Sequence, residues 1–272
     1  MEFWQNLLRF MDTSMETPAP YGWFHLLSFA LTLLITAALC YFHKKPVFGK
    51  QRAVVLVTAV LVLLLEVYKQ INYSFSYEGG ITFDFQWYAF PWQFCSTPMY
   101  VGLLAGLTRK GKLHDCLCAY LATFALFAGA AVMFYPTTVF ISTIGVNVQT
   151  MICHGSMIAI GIYLLYTGHV KLEHKTILRA LPVFAVMLGI AVVMNEIAHS
   201  TGLLERETFN MFFVSPYCEP SLPVYSLVQP LVPFPLSLVL YIAGFTAASY
   251  IILLLAMAVR TLAGKLRKKA PV

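Results

Sequence analysis

Charge is scarce in this chain. Of 272 residues, 18 are Lys or Arg and 12 are Asp or Glu, against 59% hydrophobic residues and a mean hydropathy of +0.74. That balance excludes an ordinary soluble domain and a disordered one. The apolar-polar alternation of a barrel strand is missing, as are internal repeats and low-complexity tracts. The six cysteines show no zinc spacing. Cys116 and Cys118 stand a single residue apart rather than in C-x-x-C, and Cys40 and Cys153 read as packing residues. Cys95 and Cys218 lie near one side of the chain's expected topology, and whether they pair is a matter of geometry. The start, Met1-Glu2-Phe3-Trp4, lacks the basic stretch of a secretory leader, so no cleavable leader is expected.

What the chain has in excess is long apolar runs. Seven are long enough to span a bilayer: 21–43, 53–73, 91–108, 115–138, 145–168, 177–199 and 235–259. Backbone groups in hydrocarbon must bond internally, so the runs are expected as helices. The expected fold is an all-α polytopic bundle of seven transmembrane helices. Residues 1–20 form an interfacial segment, 21–259 the membrane domain, and 260–272 a basic tail. The basic residues fall in four clusters: Lys44, Lys45, Lys50 and Arg52; Arg109, Lys110 and Lys112; Lys171, Lys175 and Arg179; and Arg260, Lys265, Arg267, Lys268 and Lys269. All four lie on one side, with Arg9 and Arg206 on the other. The positive-inside rule puts the N-terminus outside and the C-terminus in the cytoplasm. Placed this way, the net charge of +6 is a topology signal and not a nucleic-acid one.

The polar residues that interrupt these runs are functional-site candidates by default. They are His25; Glu66, Lys69 and Gln70; Gln93, Cys95 and Ser96; His154; and Asn195, Glu196 and His199. At a rise of about 1.5 Å per residue, all fall in the midplane or outer half of the bilayer. A single chamber opening outward is the economical arrangement. Glu66, Lys69, Gln70 and Tyr73 follow i, i+3, i+4, i+7 and share a helix face. Glu66 and Lys69 read most simply as an intrahelical ion pair, and His25 as a hydrogen-bonded tie between helices. Pro91 is a natural first helical residue, which would put Cys95 in the second turn of its helix. A thiol near a helix N-terminus with a histidine at similar depth suits nucleophilic catalysis with a general base. Residues 200–234, rich in proline but too apolar for a linker, are expected to fold back as a lid or re-entrant piece.

Tyr21-Gly22-Trp23-Phe24-His25, Glu66-x-x-Lys69-Gln70, Phe90-Pro91-Trp92-Gln93-Phe94-Cys95-Ser96 and His154 together resemble the YwaF family. These are prokaryotic integral membrane proteins related to a eukaryotic transmembrane acyltransferase family that acts on phospholipids. The resemblance spans nearly the whole chain. Phe90 and Trp92 stand where the family's Pro-x-x-x-Cys segment usually has Leu, and Asn210-Met211 stands where it has an Asn-Tyr pair. The resemblance implies acyl transfer between phospholipids and lysophospholipids in a bacterial cell membrane. Cys95 would be the nucleophile and His154 its base, supported by Gln93, Ser96, Glu66, Lys69, Gln70, His25 and Asn195, with no cofactor.

Two other classes remain open on the residues. A proton-coupled transporter would use Glu66 and His154 as relays. A seven-helix receptor shares the topology, but an acidic-Arg pair after the third run and N-P-x-x-Y in the seventh are missing. A metal-dependent lipid hydrolase would need His25, His154, His199, Glu66 and Glu196 to converge, and their spacing matches no local metal motif.

Overall fold

The computed structural model describes residues 2–42, 47–136, 139–202, 204 and 209–269, and the side chains of those up to 266. Lys44, Lys45, Arg206 and the side chains of Arg267, Lys268 and Lys269 lie outside the described residues. Among the described residues the chain is all-α apart from one hairpin of two-residue strands. Its helices are α1 (Glu2–Met11), α2 (Trp23–Phe42), α3 (Phe48–Ser74), α4 (Thr97–Leu107), α5 (Lys112–Tyr120), α6 (Leu126–Phe134), α7 (Ile144–Tyr166), α8 (Lys175–Ser200), α9 (Tyr225–Val228) and α10 (Phe234–Lys269). Strands β1 (Phe75–Ser76) and β2 (Thr82–Phe83) pair antiparallel between α3 and α4. A π-helical turn, Leu121–Ala125, joins α5 to α6.

Six helices among the described residues are long and apolar enough to cross a membrane: α2, α3, the α5–α6 rod, α7, α8 and α10. The run expected as a third span is different. Its helix, α4, has only 11 residues, about half the thickness of a hydrocarbon core. The lead-in from Trp87 to Ser96 is a 3-10 turn followed by bends. Helix α4 therefore starts at Thr97 and not at Pro91, and Cys95 precedes the helix. The cause is Pro98. A helix begun at Pro91 would carry Pro98 in its interior, where the missing N–H and the ring break the ladder. In the first turn of α4 the same proline is tolerated.

Helix α4 is seated against α3 by close backbone approach. A Cβ at Gly106 would stand 2.6 Å from Leu56 Cβ, and one at Gly102 would stand 3.0 Å from Ala59 Cβ. This small-x-x-x-small spacing lets two apolar helices touch. At its C-terminus, Arg52 of α3 donates from Nε to Gly106 O (3.1 Å) and from Nη2 to Leu107 O (3.2 Å). A guanidinium there offsets the negative end of the helix dipole. Helix α7 runs through the centre, packed on α2, α3 and α6. A Cβ at Gly129 of α6 would meet the His154 carbonyl at 2.6 Å, so that glycine sets how closely α6 approaches α7.

The remaining pieces close one end of the bundle. Helix α1 and the chain after it lie across the starts of α7 and the end of α3. Met15 N donates to Ser142 O, Ile144 N donates to Thr13 O, and Tyr77 and Thr143 donate to the Asp12 carboxylate. In the 200–234 segment, Met211, Phe212 and Val214 are fully buried. Phe212, Phe213 and Val224 all hold positive φ, near 60°. Such backbone persists only where its surroundings over-determine it.

Candidate functional site

Cys95 sits in the turn that precedes α4. Ser96 N and Thr97 N both donate to Gln93 O, at 2.9 and 3.1 Å, which closes the turn and leaves the thiol half-buried at its tip. Thr97 braces it from below, donating to Phe94 O and bonding the Tyr120 hydroxyl at 3.0 Å. The Ser96 hydroxyl and the backbone of Cys95 itself lie beside the sulfur.

On one side the thiol opens onto a cavity of about 530 Å³. Phe127 and Ala131 of α6, Tyr241 and Phe245 of α10, and Leu222 to Tyr225 of the returning segment line it. The lining is almost wholly apolar, and the volume is that of a small-molecule site. Only the Tyr241 and Tyr225 hydroxyls are polar among these side chains, and both are occupied. Tyr241 donates to Phe212 O at 2.9 Å, and Tyr225 donates to Ser237 Oγ at 3.2 Å.

On another side lies a buried ionic cluster. Glu66 Oε1 accepts from Lys69 Nζ and from Gln70 Nε2, both at 2.8 Å, and Oε2 accepts from Gln149 Nε2 at 3.2 Å. Gln70 also donates to Ala89 O at 2.8 Å, tying the cluster to the lead-in of α4. Two charges in a dry interior are tolerable only when both are paired and their remaining hydrogen-bonding capacity is used. The Lys69 charge acts electrostatically on both Cys95 and His154.

His154 approaches from α7. Its Nδ1 meets Thr150 O at 2.8 Å. A carbonyl can only accept, so Nδ1 carries the proton and Nε2 presents its lone pair. That Nε2 is buried without a hydrogen-bond partner. No hydrogen bond joins His154 to the Cys95 thiol among the described residues. The link between their elements is Cys153, whose thiol faces Cys95 O at 3.8 Å.

Gln93 and Asn195 act elsewhere. Gln93 donates from Nε2 to Asn210 O and accepts from Phe212 N at Oε1, both at 2.9 Å. Asn195 donates to Met211 O at 3.0 Å and accepts from Met211 N at 2.8 Å. Two amides thus hold one strained loop as peptide mimics, and the Gln93 amide is not a free donor for an oxyanion. Asn195→Ala should loosen this loop by about 1–3 kcal/mol, the cost of orphaning buried backbone groups. Hydrogen exchange read over residues 209–215 checks it, and unchanged protection there would mean that the clamp carries no stability.

His25 accepts from Tyr21 N at 3.1 Å on Nδ1 and so donates from Nε2 to Met133 O at 3.0 Å. It fastens α2 to α6 and does not face the thiol. His199 stacks on Tyr217, whose hydroxyl donates to Glu196. Among the described residues, His25, His154, His199, Glu66 and Glu196 therefore form no common cluster.

Several contributors carried little sequence signal. Gln149 lies within a long apolar run, one turn from His154, and its polarity alone marks it. Tyr120 and Thr97 look like ordinary helix residues until the bundle brings them together.

The long apolar helices and the polar groups buried between them define an integral, multi-pass membrane protein. The chain belongs to the TMEM164 family, a membrane family whose profile matches residues 19–257. That match carries the TMEM164 name rather than YwaF. No curated protein and no solved structure matches the chain.

Proposed function

We propose that this chain is a membrane acyltransferase of the YwaF kind that moves a fatty acyl group between phospholipids through a Cys95 thioester. The observation that carries this reading is the place of the thiol, between a large apolar cavity and a buried Glu66–Lys69 pair with a histidine beside it. An acyl chain leaving a bilayer for an apolar cavity exchanges one hydrocarbon environment for another and loses little. The lipid phosphate would meet Lys69.

In this scheme the Cys95 proton passes to His154 Nε2. The thiolate attacks an ester carbonyl, the C–S bond forms, and the C–O bond to glycerol breaks. His154 returns the proton to the departing alkoxide, releasing a lysophospholipid. The hydroxyl of a second lipid then gives its proton to His154, attacks the thioester and takes the acyl group, and the thiol is restored. The Ser96 hydroxyl and the Cys95 backbone N–H are the donors best placed for the oxyanion. The 209–234 segment shields the thioester from water, which would otherwise make the enzyme a lipase. The α4 lead-in completes a seventh crossing, its irregular backbone tolerated because protein covers it. The N-terminus is placed outside and the basic end of the bundle in the cytoplasm.

Incubation with phospholipid should yield a hydroxylamine-sensitive acyl adduct by intact mass, absent in Cys95→Ser. His154→Gln should slow transfer by about 10²- to 10⁴-fold, the range of a general base. A full-rate His154→Gln protein would remove the histidine from the mechanism.

A further inference from the structure

A second cluster of reactive side chains lies at the opposite, basic end of the bundle. His114 and Cys118 are i, i+4 neighbours on one face of α5. His169 comes from the turn after α7, which Val170 N→Leu164 O (3.0 Å) and Gly168 N→Leu165 O (3.2 Å) close. His114 Nε2 stands 2.8 Å from His169 Nε2, and Cys118 Sγ stands 3.4 Å from His114 Nε2. The three atoms lie within 4.8 Å of one another. His114 and Cys118 are buried. Phe48 covers the group, edge-on to His114 at 4.9 Å and stacked on His169 at 6.0 Å.

Hydrogen bonding alone leaves this arrangement over-subscribed. His114 Nδ1 lies 3.0 Å from Ala105 O, and a carbonyl only accepts, so Nδ1 is protonated and Nε2 offers one in-plane lone pair. Both the His169 N–H and the Cys118 S–H are aimed at that one lone pair. A cation in place of the two protons would satisfy all three atoms. The Ala105 carbonyl then plays the part of the outer partner that orients a ligating histidine.

We propose that His114, Cys118 and His169 form a binding site for a zinc-class divalent ion that fastens α5 to the turn after α7. Two imidazoles and one thiolate are a ligand set that zinc takes. Binding moves the Cys118 proton to solvent and the His169 proton from Nε2 to Nδ1, with no change of oxidation state. A tetrahedral ion with ordinary zinc bond lengths needs N···N of about 3.3 Å and N···S of about 3.6 Å. The present separations are shorter by about half an ångström and a few tenths, within the reach of small side-chain rotations. Asp115 acts electrostatically on His169 and supplies nearby negative charge for the ion. Thirteen residues of the α5–α6 rod, about 20 Å, separate His114 from Phe127 in the wall of the Cys95 cavity. The site is a staple, remote from the thiol.

The test uses the full chain in detergent, stripped with chelator, reloaded with zinc and freed of excess. About one zinc per chain is expected in the wild type and in Cys95→Ser, falling to less than about a tenth in Cys118→Ser and His169→Ala, each of which removes a ligand. Cobalt loading of the wild type should give a thiolate-to-metal absorption band that Cys118→Ser lacks. A wild-type chain that retains no zinc and shows no such band overturns the site, whatever the variants do. Zinc retained equally by Cys118→Ser and His169→Ala overturns it too.

Discussion

Cys95→Ala should lower acyl transfer by on the order of 10³-fold or more, because a nucleophile that carries the covalent intermediate has no substitute. The cavity should survive the change. Cys95 occupies the tip of a turn, and that turn is closed by backbone bonds from Ser96 and Thr97 to Gln93 O. The variant should therefore still elute as a monodisperse species and still take up a lipid analogue, while transferring no label. Normal transfer of labelled acyl chains by the Cys95→Ala protein would end the thioester mechanism. Loss of folding along with activity would instead show the thiol to be a packing residue.

Glu66→Leu should destabilise the chain by about 3–5 kcal/mol, the cost of leaving a buried charge without its partner. Glu66 holds Lys69, Gln70 and Gln149 together. Its removal orphans a cation and the Gln149 amide in the interior at once, and leaves Gln70 with only its bond to Ala89 O. The double variant Glu66→Leu/Lys69→Met removes both charges, so it should recover much of the loss, since replacing a whole buried pair by apolar groups is often close to neutral. Thermal or denaturant unfolding in detergent compares the three proteins. If the single and double variants lose the same stability, the pair is not coupled as the 2.8 Å contact indicates. The double variant should still lack activity if Lys69 meets the lipid phosphate.

Much of this was legible in the sequence because hydrophobicity and helical periodicity are local properties. The runs that became α2, α3, the α5–α6 rod, α7, α8 and α10 were each readable from composition alone. So was the Glu66-x-x-Lys69-Gln70 face, since an i, i+3, i+4 pattern fixes neighbours without any tertiary contact. The start of α4 is marked locally too, since Pro98 is tolerated only in a first turn.

The rest depends on how helices far apart in the chain meet. Gln93 and Asn195 are polar residues in apolar runs, and nothing local indicates that each clamps the loop from Asn210 to Phe212. His114 and Cys118 were a readable pair, but His169 joins them only because α7 returns its end to the start of α5. Composition and periodicity determined by themselves that this is a helical membrane protein with polar groups buried at depth. Only the tertiary structure decided which of those groups share a site. Burial penalises any unpaired polar atom, and the partners that relieve the penalty come from other helices. Cys95 therefore faces an apolar cavity and an ion pair, while His25, more deeply buried, faces a backbone carbonyl.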